Sequence, residues 1–187
     1  MIIVISGTPC TGKTSTAKIL SKILKARLIS ISELVKSEEI SGSYDKKRKT
    51  SVVDEKVIKN RINKLAYKTP TTIVEGHVAH IIDADKTIIL RCNPLVLKKR
   101  MRKRKWSKAK IKENIEAEIL DVITIEALGI NKHVVEIDTS DLTPKKIALI
   151  IKKLLNNHRL QKEYLPGRID WTEKYWKMLV KDSVENI

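Results

Sequence analysis

A segment near the N-terminus restricts the possible folds more than any other part of the chain. Residues 2–5, IIVI, form a β-branched run, which is typical of a strand buried on both faces of a parallel sheet. Residues 7–14, GTPCTGKT, fit the pattern G-x-x-x-x-G-K-[ST] at every fixed position, and residues 15–24 follow with apolar side chains at helical spacing. A strand, a glycine-rich loop and a helix in this order predict a phosphate-binding loop. The alternative is a chance match in a lysine-rich chain.

The residue types in this loop indicate how it would bind phosphate. Consecutive backbone N–H groups at the positive end of a helix dipole attract an anion. The glycines let the backbone approach closely, Lys13 can carry a positive charge to the β and γ oxygens, and the Thr14 hydroxyl can ligate Mg²⁺. We therefore predict that the loop binds a nucleoside triphosphate.

The overall charge favours partners that are themselves negative. Among 187 residues, 38 are Lys or Arg and 22 are Asp or Glu, so the net charge is +16 at pH 7. This excess indicates RNA or nucleotide phosphates and does not choose between them. The length suits one compact domain with a small tail.

The cysteines and the apolar segments bear on the cellular compartment. Cys10 and Cys92 have no C-x-x-C partner, so the sequence suggests neither a disulfide framework nor a zinc site. The chain enters a predicted core strand at once, and no stretch has the length of a membrane span. These observations predict a cytoplasmic protein without a membrane partner.

Hydrophobic periodicity predicts alternating strands and helices. Strands are predicted at residues 2–5, 27–31, 71–75, 86–91 and 133–138. Helices are predicted at residues 15–24, from 33 onwards after a Ser32 cap, 54–67, 94–105, 108–128 ending at Gly129, and 143–156. Residues 41–51 are predicted to be a surface loop. Helical connections between strands predict a doubly wound α/β fold, with three α/β/α layers and a five-stranded parallel sheet.

The domain boundaries follow from the same pattern. Residues 1–157 are predicted to form one P-loop domain, and residues 158–187 a helical tail that carries Trp171 and Trp176. We find no repeat and no low-complexity segment, so the tail is interpreted as an appendage and not as a second domain.

An acidic residue and a histidine follow the third predicted strand. Glu75 and His77 would lie at the carboxyl edge of the sheet, where open α/β sheets bind their ligands. Glu75 can hold the Mg²⁺ shell or orient a water molecule, and His77 can position a nucleophile or a phosphate. A structural histidine is the alternative for His77. The other histidines, His80, His133 and His158, are interpreted as structural.

A basic cluster follows the fourth predicted strand. Seven of the eight residues from 98 to 105 are Lys or Arg. Arg100 and Arg104 are four residues apart on a predicted helix, so they would share a face and could neutralise a phosphoryl group in transfer. The alternative, a solvated basic helix, is favoured for three of the other residues, Arg102, Lys103 and Lys105.

Several segments together resemble the adenylate kinase isoenzyme 6 family. They are GTPCTGKT at 7–14, SYD at 43–45, VVDE at 52–55, IVEGH at 73–77, LR at 90–91, KRMRKRKW at 99–106 and ENIEAEI at 113–119. The resemblance covers residues 1 to about 156, and the tail segment GRIDW is similar to the archaeal branch. It implies a nucleoside monophosphate kinase-like fold, with a monophosphate-binding region at about 32–68 and a short lid at about 98–110.

The resemblance also implies roles for individual residues. ATP phosphates would contact Gly7, Pro9, Cys10, Thr11, Gly12, Lys13, Thr14 and Ser15, with Arg104 from the lid. Catalysis would use Lys13, Glu75, His77, Arg100 and Arg104. AMP would contact Lys36, Tyr44, Asp45 and His77, and Mg²⁺ would be held by Thr14 and Glu75.

Three positions depart from the family pattern. Glu75 stands where an Asp is common, which lengthens the side chain by one methylene. Lys36 stands where an Arg is expected, so the charge stays and the bidentate fork is lost. Cys10 replaces a glycine, which implies that this position does not require a positive φ.

Three functional hypotheses remain at this point. The first is an adenylate kinase with ATPase activity that transfers the γ-phosphoryl group of Mg-ATP to AMP, acting as a monomer or weak oligomer. The resemblance and the charge also suggest an ATP-driven factor in small ribosomal subunit assembly, which would bind a ribosomal protein and rRNA. The third hypothesis is a nucleic-acid-binding module that keeps a degenerate P-loop.

Overall fold

The fold comes from a computed structural model in which some segments are not described. The backbone is described for residues 1–37, 43–45, 50–52, 55–66 and 69–184, and side chains for 1–37, 55–66 and 69–179. The strands are β1 Ile2–Ser6, β2 Arg27–Ser30, β3 Ser43–Asp45, β4 Thr50–Val52, β5 Thr72–Glu75, β6 Lys86–Arg91 and β7 Val134–Asp138. The helices are α1 Lys13–Leu24, α2 Ile31–Ser37, α3 Glu55–Ala66, α4 Pro94–Lys103, α5 Lys108–Ile119, α6 Val122–Ile130, α7 Pro144–Asn156, α8 His158–Gln161 and α9 Thr172–Val184. Short 3₁₀ turns occupy Ala79–Ile81 and Lys162–Tyr164.

Five parallel strands form the central sheet in the order β2, β5, β1, β6, β7. The predicted doubly wound α/β fold is therefore confirmed. β1 lies at the centre, with Ile5 paired to Glu75 of β5 and Ser6 paired to Ile89 of β6. This register brings the end of β1 and the loop that follows it next to Glu75.

Alternate residues of β1 explain why a β-branched run is needed there. Ile3 and Ile5 pack in a core that includes Leu20 of α1 and Ile151 of α7, while Val4 packs on the opposite face of the sheet. Val4 shares its core with buried residues of α2, α3 and the turn at Ala79–Ile81. Both faces of the strand are buried, as the sequence pattern predicts.

The tail contributes to a third core, away from the sheet. Buried residues of α4 and α5, among them Leu97, Met101 and Ile115, pack with Tyr175 of α9. The Tyr175 hydroxyl also accepts a hydrogen bond from Asn93 Nδ2 at 2.8 Å. The tail therefore packs on the two helices that contain most of the predicted lid residues.

The predicted helix 108–128 is wrong as a single element. It breaks between α5 and α6, where Asp121 takes a left-handed conformation with φ of 55° and contacts the Arg91 guanidinium. After the break, α6 no longer continues the apolar face of α5, and Ile125 is 62% exposed. Gly129 does not close the helix, because it lies inside α6.

Two other local predictions also need correction. Within the predicted loop 41–51, residues 43–45 and 50–51 belong to paired antiparallel strands, β3 and β4, and the other residues of that loop lie outside the described part of the chain. The second strand ends at Ser30 and α2 begins at Ile31, so Ser32 lies inside the helix and not at its cap. Among the described residues, no helix combines the length and apolar character that a membrane crossing requires.

Candidate active site

The glycine-rich loop lies at the carboxyl edge of the sheet, between β1 and α1. Gly7 has a φ of 138°, and a Cβ added there would lie 2.3 Å from the carbonyl oxygen of Leu90, so a side chain is excluded. Gly12 has a φ of 100° and immediately precedes α1. Both fixed glycines of the motif are therefore required by the backbone conformation.

The expectation for Cys10 was wrong. Its φ is 73°, which is left-handed, although the residue is not a glycine. Such a conformation costs about 1–2 kcal/mol for an L-residue. The Cys10 side chain packs against the core formed by α4, α5 and α9, and its carbonyl accepts from Arg100 Nη1 at 3.5 Å. These contacts hold the position in a conformation that the residue type does not itself favour.

Lys13 is held inside the loop. Its ammonium donates to the carbonyl oxygens of Gly7 at 2.8 Å and Thr8 at 3.0 Å, and the residue is only 8% exposed. Burial lowers the Lys13 pKa to about 8, although the nearby Glu75 carboxylate opposes the shift. A buried cation with only carbonyl partners is suited to exchange them for an anion.

Glu75 and Thr14, which we predicted to hold the metal, are in direct contact. Thr14 Oγ1 donates to Glu75 Oε2 at 3.0 Å, and Ser30 Oγ donates to Oε1 at 2.6 Å. Hydroxyl and carboxylate oxygens are the donors that Mg²⁺ prefers, usually completed by water and phosphate. No group of three or more His, Cys, Asp or Glu able to hold a metal occurs among the described side chains. The Thr14 hydroxyl and the Glu75 carboxylate by themselves fit the oxygen-donor chemistry of Mg²⁺.

His77 lies beside the start of the loop. Its Nδ1 is 3.4 Å from the Gly7 carbonyl oxygen. Because a carbonyl only accepts, Nδ1 must carry the hydrogen in this contact, which leaves Nε2 as an acceptor. Solvent reaches the ring from the cavity, but the surrounding protein still desolvates it. This desolvation, together with the charge of Lys13, lowers the His77 pKa.

The two predicted lid arginines have different surroundings. Arg104 lines the cavity. Arg100 does not; its Nη2 donates to the backbone carbonyls of Thr139 at 2.8 Å and Ser140 at 3.1 Å. Arg104 is the C-cap residue of α4, directly after Lys103. The two side chains therefore have different partners, although they are four residues apart.

One cavity of about 790 Å³ collects most of the predicted site. Its predicted members are Pro9, Cys10, Gly12, Lys13, Thr14, Ser15, Lys36, Glu75, His77 and Arg104. Gly7 and Thr11 support the loop from outside this lining, and Thr11 Oγ1 donates to the Thr8 carbonyl at 2.9 Å. The side chains of Tyr44 and Asp45 lie outside the described residues.

The cavity also contains a residue that we did not predict. Glu55, at the start of α3, faces it together with apolar residues of α2 and α3. The sequence segment VVDE at 52–55 was the available signal, but we assigned no role to its last residue. A carboxylate at this position can accept hydrogen bonds from a second substrate.

A buried ionic network beneath the loop was also missed. Arg91 is 2% exposed and its Nε donates to Glu118 Oε1 at 2.9 Å. Glu118 also accepts from Cys92 N at 3.0 Å and from the Thr8 hydroxyl. Burial raises the Glu118 pKa, while Arg91 opposes this effect. The segment ENIEAEI contained the signal, because its second-last residue joins α5 to the phosphate loop.

Comparisons with known sequences agree with this geometry. A family model described as an AAA domain matches residues 3–121. A protein of Methanocaldococcus jannaschii named "Putative adenylate kinase" is 38% identical over 179 residues, covering 96% of this chain and 97% of that protein. A protein of Archaeoglobus fulgidus with the same name is 38% identical over 173 residues, covering 91% and 92%.

Solved structures share the fold at lower identity. The YorR protein of Bacillus subtilis, in complex with phosphorylated GDP, has a TM-score of 0.58 and 22% identity, over 83% of this chain and 96% of that one. The deoxyadenosine kinase from M. mycoides with bound dATP has a TM-score of 0.58 and 17% identity, over 84% and 100%. At these identities the likeness concerns the fold alone.

Proposed function

We propose, from the premise that this chain belongs to the family of archaeal proteins named "Putative adenylate kinase", that it is a nucleoside monophosphate kinase. It would transfer the γ-phosphoryl group of Mg-ATP to AMP and release two molecules of ADP. The observation that carries the proposal is the single cavity lined by both Lys13 of the phosphate loop and Lys36 of α2. Two cations in one cavity, Lys13 buried and Lys36 exposed, suit two phosphorylated substrates.

The donor side is built from the loop. Lys13 would exchange its two carbonyl contacts for oxygens of the β- and γ-phosphates, and the loop N–H groups would surround them. Mg²⁺, when bound, would be held by Thr14 and by Glu75, and it would neutralise charge on the transferring group. Glu75 is fixed for this task because both of its oxygens already accept hydrogen bonds.

The acceptor side is the part of the cavity formed by α2 and α3. Lys36 supplies a positive charge for the monophosphate, and Glu55 can accept from an amino group of its base. His77 contacts both sides of the site. Its Nδ1 bonds the Gly7 carbonyl of the loop, and the residue also lines the cavity. Its Nε2 can accept a hydrogen bond from a hydroxyl or amino group of the acceptor nucleotide. Phosphoryl transfer then depends on positioning and charge neutralisation more than on covalent chemistry.

Arg104 would complete the charge neutralisation. It is exposed, lies just after α4 and lines the cavity, so its guanidinium is available to a bound nucleotide. Arg100 instead ties α4 to the segment after β7 through backbone carbonyls. We assign it a positioning role and leave direct phosphate contact to Arg104.

The direct test is an assay of ADP formation by purified protein from ATP with and without AMP. The proposal expects ADP to form from both substrates together, with CMP as a comparison acceptor. Lys13→Ala should lower turnover about 10²–10³-fold, and Lys18→Ala, which changes an exposed lysine of the same helix, should leave it unchanged. ATP hydrolysis without AMP-dependent ADP formation would show that the kinase assignment is wrong.

A second candidate is an ATPase that assists small ribosomal subunit assembly. The observation that favours it is the exposed basic surface of residues 102–110, where Lys110 Nζ lies 4.4 Å from the centre of the Trp106 ring. Lysines and an aromatic ring on one surface suit single-stranded RNA. This candidate expects salt-sensitive binding to small-subunit rRNA that changes with the bound nucleotide, and equal binding to any polyanion would contradict it.

A further inference from the structure

A buried histidine connects the surface of α6 to the end of β1. His80 is 3% exposed, and its Nε2 lies 2.9 Å from Glu126 Oε2. Its Nδ1 lies 3.0 Å from Ser6 Oγ, which also donates to the His77 carbonyl at 2.9 Å. Glu126 is largely exposed, so one end of this chain of contacts reaches solvent. The other end is the backbone of the candidate catalytic residue His77.

Three hydrogen bonds attach the turn containing His77 to the start of the phosphate loop. Gly76 N donates to the Ile5 carbonyl at 3.3 Å, and His77 Nδ1 contacts the Gly7 carbonyl at 3.4 Å. The third is the bond from the Ser6 hydroxyl to the His77 carbonyl, and Ser6 lies between Ile5 and Gly7 in the chain. Loss of the Ser6 bond would therefore remove the central one of three restraints on His77.

The contacts of Ser6 and His80 can all form only in one protonation state of the His80–Glu126 pair. The Ser6 hydroxyl has one hydrogen, and the His77 carbonyl can only accept it. His80 Nδ1 must then carry a hydrogen and donate to Ser6. If Glu126 is ionised, it can only accept a hydrogen bond, so His80 Nε2 must carry a second hydrogen. All three contacts can exist together only when the His80–Glu126 pair holds one proton more than a neutral imidazole and a carboxylate.

We propose that His80 is a positioning residue for His77, and that proton loss from the His80–Glu126 pair redirects the Ser6 hydroxyl from the His77 carbonyl to His80 Nδ1. The positioning role rests on the proposed kinase function, whereas the redirection of the hydroxyl does not. After proton loss, Nε2–H continues to donate to Glu126, and the bare Nδ1 takes the Ser6 hydrogen. The turn that carries His77 then keeps only its two outer restraints.

The surroundings of His80 set the direction of the pH dependence. Glu126 of α6 faces Nε2 and raises the His80 pKa, and the backbone of His77 and the charge of Glu55 on α3 raise it as well. Asn131 Nδ2 holds the His80 carbonyl at 2.8 Å and does not titrate. Burial, the largest effect, lowers the His80 pKa below its ordinary 6.5, and Glu126 opposes the shift. The restrained arrangement is therefore complete in acid and is lost as the pH rises.

The variant Glu126→Gln separates this proposal from a purely structural role. The carboxamide nitrogen can donate to Nε2, so a neutral His80 can keep its hydrogen on Nδ1 and the Ser6 hydroxyl stays on the His77 carbonyl at every pH. The ratio of kcat in this variant to kcat in the wild type should rise by roughly two- to tenfold between about pH 5 and pH 8. Dividing the two kcat values at each pH removes the contributions from titration of ATP and of His77, because both proteins share them.

Two control variants keep the interpretation specific. Glu163→Gln removes the same charge from an exposed residue far along the chain. The ratio of its kcat to that of the wild type should not change with pH. In a Ser6→Ala background the hydroxyl is absent, so the ratio for Glu126→Gln should also be flat. A flat ratio for Glu126→Gln in the wild-type background would overturn the positioning role.

A spectroscopic readout tests the hydrogen arrangement without any assay. The ¹⁵N shifts of the His80 ring at pH 8 should report hydrogen on Nε2 in the wild type and on Nδ1 in Glu126→Gln. His80→Gln identifies which of the four histidine signals belongs to His80. The same tautomer in both proteins would overturn the redirection of Ser6. If the wild type lacks kinase turnover, the proposed function fails, and the tautomer still decides this inference.

Discussion

The Thr14 hydroxyl, in the first turn of α1, and the Glu75 carboxylate, at the end of β5, lie within hydrogen-bonding distance at 3.0 Å. They are 61 residues apart in sequence, and the pairing of β1 with β5 brings them together. Since Ser30 of β2 fixes the other carboxylate oxygen, the pair forms a rigid oxygen-rich corner beside the phosphate loop. This corner is the geometric reason to expect Mg²⁺ and phosphate at the same place.

Removal of Lys13 should affect nucleotide use much more than folding. Lys13→Ala removes a buried cation that currently has only carbonyl partners. We expect kcat/KM for ATP to fall about 10²–10³-fold, which is typical for the loss of one preorganised electrostatic group. Steady-state kinetics with Lys18→Ala as the matched variant would measure this, and a loss of less than threefold would contradict the central role of Lys13.

The lowered Lys13 pKa predicts a pH dependence of both stability and binding. Between about 8 in the folded chain and the ordinary 10.5, the unfolded chain binds more protons, so the free energy of unfolding contributed by Lys13 rises with pH across that window. ATP binding changes in the opposite direction, because deprotonation removes the charge that attracts phosphate.

Calorimetric titration with ATP would measure the second effect. The Kd of the wild type for ATP should increase as the pH rises above about 8. Lys13→Arg stays charged, so its Kd should show no such increase. An equal weakening in both proteins would assign the pH dependence to other groups.

The contact between Thr8 and Glu118 should stabilise the loop from below. Thr8→Val removes the hydroxyl that donates to the buried carboxylate, and Thr8→Ser keeps it. We expect Thr8→Val to lower the free energy of unfolding by about 1–3 kcal/mol, since a buried charged acceptor loses a partner. Urea denaturation of both variants would test this, and equal stability of Val and Ser variants would show that the contact contributes nothing.

The two lid arginines should give different phenotypes. Arg104 is exposed at the cavity, so Arg104→Gln should lower kcat and leave the unfolding free energy within about 0.5 kcal/mol of the wild type. Arg100 holds the carbonyls of Thr139 and Ser140, so Arg100→Gln should lower stability by about 1–3 kcal/mol. Kinetics and denaturation of both variants would distinguish them, and a purely kinetic effect of Arg100→Gln would restore it to the catalytic set.

Sequence reasoning was most successful where the physical signal is local. The IIVI run, the GTPCTGKT loop and the helix after it are each read from neighbouring residues, because side-chain alternation and helical spacing repeat over a few positions. The five strands and their helical connections followed in the same way, and with them the fold. The position of Glu75 beside the loop also followed, because the carboxyl ends of parallel strands meet at one edge.

Errors arose where one residue's conformation depends on distant contacts. The left-handed backbone of Cys10 is held by Arg100, 90 residues away, and the break at Asp121 is associated with Arg91. Neither partner can be identified from local spacing. The carbonyl partners of Arg100, at Thr139 and Ser140, are likewise distant in sequence.

The sequence by itself determined the phosphate loop, the order of the elements and the charge that favours a polyanionic ligand. Only the tertiary structure decided which side chains share the cavity, that α9 packs on α5, and that Glu118 and His80 support the loop and the His77 turn. The physical reason is that motif chemistry is encoded in adjacent residues, whereas a hydrogen bond requires two groups at about 3 Å and a defined angle. Those positions are fixed only when the sheet pairs and the helices pack.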